Sequence, residues 1–356
     1  MIMNMSKIRS SNIELYRIIV MLAIVAHHYV VNSGISGTVL PYDQLSMTSA
    51  FYWVFGLWGK TGINCFLLIT GYYMCKSNIT LRKFLKLYIE IVFYRVVIWL
   101  IFIACGRDTF TIGQAVRNIL PFTNISVAFT QAFLAFFLFI PFANILVRNM
   151  RQKEHAILIG LCLVVYTLMY STRSFVVTYN YVSWFFVIYL IAAYIRLYGL
   201  PKNENATFWF GMTVLTFILG SLSVIYGITK KGNPGWMLRE CLSVVPVLVS
   251  VSSFMFFKNI HIPTSKLINI VASTAFGVLL IHAHSWPMRN WLWNEVIDVA
   301  GHYGEGHFVL YSIISVVAVY SVCCVIDLFR IYALERPLFM LLDKYLCRIP
   351  IYQQVS

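Results

Sequence analysis

The chain has 356 residues, of which 60% are hydrophobic and only 11% charged, with a formal net charge of +14. A soluble domain averages about 45–50% apolar and about 25% charged residues, so the composition excludes an ordinary soluble enzyme and points to an integral membrane protein. A basic excess scattered between apolar runs records topology rather than a nucleic-acid footprint, so no nucleic-acid partner is expected.

Apolar runs of about 20 residues, enough to span a bilayer, recur along the chain. They predict about ten spans, near 13–33, 51–75, 84–105, 126–147, 155–171, 181–198, 207–227, 239–257, 268–285 and 308–330. The expected fold is therefore all-α: a polytopic membrane helical bundle forming a single membrane-embedded domain over 1–356, with no fused soluble domain. With both termini cytoplasmic, Lys7, Arg9, Lys76, Arg82, Lys83, Lys86, Arg148, Arg151, Lys153, Arg196, Lys202, Lys258, Lys266, Arg330, Arg336, Lys344 and Arg348 fall inside. Only Arg107, Arg117, Arg173, Lys230, Lys231, Arg239 and Arg289 fall outside, as the positive-inside rule requires. The first apolar segment contains Arg17 and lacks a small-residue cleavage site, so it reads as a retained span. The eight cysteines show no metal-type spacing and read as packing residues; no metal is expected.

An ionisable side chain inside a span costs at least a few kcal/mol and marks a functional candidate. In the first span, "NIELYRIIVMLAIVAHH", Arg17 and His28 are eleven positions apart, about three helical turns and about 16 Å, so they share one face. Glu14 is one turn from Arg17 and can pair with it, whereas His27 faces elsewhere. An Arg can orient a polar, anionic donor, and a deep His can act as general base or carry an acyl group. The same pattern also fits a snorkelling Arg with a hydrogen-bonded core His.

In the second span, Lys60 and Asn64 share a face, and Thr70 with Gly71 forms a polar, close-packing patch. The third opens on "LRKFLKLYIE", where Arg82, Lys83 and Lys86 read either as a positive-inside anchor or as a cradle for the phosphates of a nucleotide-bearing donor. Glu90 and Arg95 follow, Arg95 being too deep to snorkel easily. In "STAFGVLLIHAHSW", Ser273, Gly277 and Leu280 recur at helical spacing, His282 comes near the outer end of span nine, and His284 follows. Of the two long loops, Ser33–Ala50 and Trp286–His307, the second is rich in Trp, His and acids. Its tryptophans suit interfacial anchoring or stacking on sugar rings. Asp327 lies in the last span.

Together these stretches resemble the acyltransferase 3 family of membrane acyltransferases, which includes bacterial polysaccharide O-acetyltransferases. The resemblance covers nearly the whole chain. It rests on the acid, base and histidine pattern of Glu14, Arg17 and His28, on "CFLLITGYY", on the basic cluster, and on "FGVLLIHAHS"; "FIPFANIL" with Asn144 and "IDLFRIYALERPL" also fit. Lys83 and Lys86 stand where the family usually has arginine, and Leu280 follows Leu279, where the family often has tyrosine. The family implies about ten spans in a multi-pass bacterial cytoplasmic (inner) membrane protein. It implies acetyl-CoA, or another acyl-CoA, as a cytoplasmic co-substrate, and O-acetylation of a cell-surface or lipid-linked polysaccharide of the cell envelope. On that basis His28, Arg17 and Glu14 are the expected catalytic residues and Arg82, Lys83, Lys86 and Arg95 the expected donor contacts. Lys60, Asn64, Thr70, Ser273 and His282 are expected along the substrate pathway. Expected partners are the donor, the glycan acceptor, membrane lipid and, because many relatives carry an esterase-like domain, a separate acyl-handling protein. A transporter of a glycan or anionic solute, or a glycan polymerase using Glu295, Asp298 and Glu305, is the competing reading. No matched pair of Gly/Pro-broken helices supports a transporter.

Overall fold

The computed structural model describes residues 10–35, 45–126, 128–172, 175–231, 233–235, 237–238 and 240–346. Lys7, Arg9, Arg173, Arg239 and Arg348, both chain ends, and residues 36–44 of the first long loop lie outside the described residues. Among the described residues all regular structure is helical.

The helices are α1 (Ser11–Val31), α2 (Met47–Gly56), α3 (Gly59–Met74), α4 (Leu81–Ala104), α5 (Ile112–Ile119), α6 (Phe129–Asn149) and α7 (Gln152–Thr172). There follow α8 (Tyr181–Leu197), α9 (Ala206–Lys231), α10 (Val244–Asn259), α11 (Lys266–Ser273), α12 (Ala275–His282) and α13 (Trp286–Asn290). After a π-helical turn, Trp291–Val296, come α14 (Val299–His302), α15 (Phe308–Phe329), a further π-helical turn, Arg330–Glu335, and α16 (Arg336–Leu346).

Each expected span coincides with helix, but not one for one. Among the described residues six stretches are long and apolar enough to cross a membrane: α1, α4, α6, α7, α9 and the run Phe308–Leu346. A seventh arises if Lys266–His282 and Trp286–His302, bent by 98°, count as one span. That falls short of the ten expected from hydropathy. The second expected span is broken between α2 and α3, and α8 and α10 are apolar but shorter. The Phe308–Leu346 run, 39 residues and so about 58 Å, is nearly twice a hydrocarbon core of about 30 Å, so its final part leaves the membrane.

α1 lies inside the bundle, with 56% of its apolar window buried, as for α6, against 11% for the peripheral α7. It packs on α2, α3, α10, α11, α12 and α15. Glycines at three-residue spacing make the contact with α2 and α3 possible. A Cβ on Gly56, Gly59 or Gly62 would fall 2.2, 2.2 or 2.6 Å from Val30, His27 or Ile24 of α1. In a bilayer, such close approach replaces the hydrophobic drive that holds soluble helices together. The bundle's outer face carries exposed Phe139, Phe142 and Ile145 on α6 and Val325 and Phe329 on α15, a surface suited to lipid.

Candidate active site

α1 delivers His28 in its last turn, and α12 ends on His282 just before the bend. The two rings meet, with Nδ1 of His28 2.8 Å from Nε2 of His282. On its other side, Nδ1 of His282 lies 2.6 Å from the Val278 carbonyl oxygen. A carbonyl can only accept, so with both rings neutral Nδ1 of His282 carries the proton and its Nε2 accepts. Nδ1–H of His28 then donates to His282, which leaves a lone pair on Nε2 of His28. His27, rotated about 100° around the helix, places Nδ1 2.6 Å from the Gly56 carbonyl, which the break between α2 and α3 exposes.

His28 lines a cavity of about 490 Å³, within the range of about 300–1,000 Å³ usual for small-molecule sites. Its walls come from the finishing end of α1 and from α3, α4, α6, α8 and α12, closed by Asn124, His284 and Arg289. Among the described residues three permanent cations, Lys60, Arg95 and Arg289, line it, and no carboxylate does. Lys60 donates to the Tyr181 hydroxyl at 2.9 Å and stands 3.3 Å from Glu240, which also accepts from Tyr179 at 3.1 Å. Arg95 donates from one terminal nitrogen to the Arg117 carbonyl at 3.1 Å, while its buried Nε has no hydrogen-bond partner among the described residues. A buried donor left unmade costs about 1–3 kcal/mol.

A second cavity, about 840 Å³, opens where α1 starts, at the opposite end of the bundle. It is lined by Arg82, Lys86, Lys266, Arg330 and Arg336 together with Glu90, Glu335 and Asp343. The structure thus divides the expected donor set. Arg82 and Lys86 face this second cavity, but Asp343 grips Arg82 through two hydrogen bonds (2.7 and 3.0 Å) and Glu335 holds Lys86 at 2.6 Å. Lys83 turns away and donates to Ser77 and to the Asn78 carbonyl. Arg95 instead lines the cavity that His28 lines. Ser273 lines the second cavity, not the one that holds His28. Asn64 is fully buried, donating to the Cys241 carbonyl and accepting from the Trp184 indole. Thr70 lines neither cavity. Arg17 lines neither one, and its Nε is 3.6 Å from Glu14, the pairing expected one turn apart.

A search of protein-family models finds the acyltransferase domain, acyltransferase 3, over residues 10–328. The chain belongs to the acyltransferase 3 family. No curated protein and no solved structure matches it. The apolar helices and the family together make this acyltransferase a multi-pass membrane protein.

Two features of the acyltransferase escaped sequence reasoning. Glu240, which fixes Lys60 at the cavity wall, lies in the connection before α10 with no pattern to mark it. The second is a buried ionic cluster centred on Arg330, which donates to Asp327, Glu335 and Glu90 at 2.7, 2.7 and 3.0 Å. Tyr94 adds a 2.7 Å bond to Asp327. Gly277 admits this carboxylate, since a Cβ there would sit 2.2 Å from its Cγ. Arg330 and Glu335 are five residues apart, about 140° off-face in an α-helix, so spacing alone hid the pair; the π-helical turn brings them together. The tryptophans of the second long loop divide. Trp293 is buried against Tyr29 and the His282 ring, Trp286 is 70% exposed, and neither lines the His28 cavity.

Proposed function

We propose that this acyltransferase moves an acetyl group from acetyl-CoA to a hydroxyl of a cell-surface or lipid-linked polysaccharide, in a bacterial cytoplasmic membrane. The observation that carries the reading is the relay from Val278 through His282 to His28, opening into a cationic cavity. Nε2 of His28 takes the acceptor's hydroxyl proton as the hydroxyl oxygen attacks the thioester carbonyl carbon. His282 holds the ring and shares the charge of the imidazolium. The new oxyanion is stabilised by the guanidinium of Arg95, which lines the same cavity. The carbon–sulfur bond then breaks, the proton passes from His28 to the departing thiolate, and the products are an ester and free coenzyme A.

The donor's phosphates sit at the opposite end, in the cavity lined by Arg82, Lys86, Lys266 and Arg336, where they displace Asp343 and Glu335 from two of the cations. Its pantetheine arm reaches inward past Arg17, about 16 Å short of His28 along α1. Glu14 keeps Arg17 in place. Lys60 orients the acceptor. This arrangement supports donor entry from the cytoplasm and acceptor entry from the other face.

The test uses protein in nanodiscs with acetyl-CoA labelled in the acetyl group and a glycan-lipid extract as the acceptor pool. Wild type should release thiol and transfer label into the glycan fraction. His28→Ala should lower turnover by about 10²–10⁴-fold, the range for loss of a general base. Full transfer by a folded His28→Ala variant would sink the mechanism, and absence of wild-type turnover with authentic acceptor would sink the choice of substrates.

A further inference from the structure

The connection between the bent helix pair and α15 carries a side-chain cluster that acyl transfer does not use. It lies in "HYGEGH", residues 302–307, where two imidazoles turn toward one carboxylate oxygen. Nδ1 of His302 is 2.7 Å and Nε2 of His307 2.8 Å from Oε2 of Glu305. All three ligand atoms lie within 4.8 Å of one another, and among the described residues no other three His, Cys, Asp or Glu side chains come together in this way.

We propose that His302, Glu305 and His307 bind a divalent transition-metal ion of the zinc type. The backbone sets the ligands in place before any ion arrives. Asp298, at φ 45°, caps α14 by accepting from the Gly301 amide at 3.1 Å, and α14 ends on His302. The Glu305 amide donates to the His302 carbonyl and the Phe308 amide to the Glu305 carbonyl, at 3.1 and 3.0 Å. The His302 ring lies 4.0 Å, centroid to centroid, from that of Tyr311. Zinc bonds of about 2.0–2.2 Å place tetrahedral ligand atoms roughly 3.3–3.5 Å apart. The two short contacts to Glu305 therefore open by roughly 0.5–0.8 Å, which exposed side chains accommodate. Two imidazole nitrogens with one carboxylate select zinc, cobalt, nickel or copper over magnesium or calcium, whose preference is for oxygen. The side chains remain 32, 42 and 60% exposed, which leaves coordination positions open to water. Asp298 adds a second negative charge nearby.

The ion joins the end of α14 to the start of α15. Tyr303, inside the ligand run, lies edge-on to Tyr52, and the Tyr52 hydroxyl donates to the Val30 carbonyl, two residues beyond His28. The site therefore tethers the loop over the end of α1 that bears His28.

The experiment uses full-length protein without an affinity tag, in nanodiscs, titrated with Co²⁺ and followed by its visible d–d absorption. Wild type should bind one equivalent of Co²⁺ and release it to Zn²⁺. His302→Gln combined with His307→Gln, and separately Glu305→Gln, should each weaken binding at least tenfold while the metal-free protein stays monodisperse. If the double variant aggregates, Glu305→Gln decides alone. No Co²⁺ spectrum in wild type, or equal binding by the variants, would overturn the proposal.

Discussion

Among individual residues, the carbonyl of Val278 has the longest reach: by accepting the proton of His282 it determines which nitrogen of His28 is left basic. His282→Ala should therefore lower kcat by about tenfold or more with little change in the KM for donor, because the general base persists but loses its orientation. Steady-state kinetics with varied acetyl-CoA measure both constants, and an unchanged kcat would remove His282 from the mechanism. Arg95 separates two roles. As an oxyanion donor its loss in Arg95→Gln costs kcat about 10²–10³-fold; as a phosphate contact its loss would raise the donor KM and spare kcat. The placement of Arg95 in the cavity that His28 lines, and of Arg82 and Lys86 at the other end, favours the first. The spacing of Glu14, Arg17 and His28 was legible in the sequence, since one helix holds all three. The bond between His28 and His282 was not, because it joins positions 254 residues apart.

Individual elements depend on where helices break and how closely they approach. The glycines of α2 and α3 allow α1 to lie almost on their backbone, and Gly59→Leu should destabilise the bundle by about 1–3 kcal/mol through overpacking. A lower midpoint in thermal unfolding of the detergent-solubilised protein checks this, and an unchanged midpoint would show that α1 has room to move. The Arg330 cluster gives a sharper case. Removing its arginine in Arg330→Met leaves Glu90, Asp327 and Glu335 buried without their common partner, at a cost of about 3–5 kcal/mol. Lys83→Ala, at an exposed position, should leave unfolding unchanged, and equal midpoints for the two variants would contradict the buried network. Apolar periodicity located α4 and α15 correctly, but a π-helical turn has no period that a hydrophobic pattern reveals, so the pairing of Arg330 with Glu335 needed coordinates.

For the whole molecule, two cavities open at opposite ends of the bundle, one around His28 and one around Arg82 and Lys86. If the end where α1 starts faces the cytoplasm, as the charge bias predicts, Met340→Cys should react with a membrane-impermeant maleimide only in inside-out vesicles. Val176→Cys, in the connection between α7 and α8, should react only in right-side-out vesicles. Both native side chains are well exposed, 67 and 99%, and with the exposed Cys105 replaced by serine the label reports sidedness. Labelling of both from one face would place the two cavities differently with respect to donor and acceptor.

Composition and hydropathy by themselves determined that this is a helical membrane protein, because a bilayer requires every spanning segment to be long, apolar and internally hydrogen-bonded. The motif in the first span and the segment around His282 pointed to the family that the family match then showed. Tertiary structure alone decided which charges share a cavity. It placed Arg95 in the cavity that His28 lines, turned Lys83 toward Ser77, put Ser273 in the second cavity, paired Glu240 with Lys60 at the first and buried Arg330 among three carboxylates. The physical reason is range. Helix formation and membrane insertion are set by neighbouring residues, whereas the partner of a buried charge is set by which helices meet.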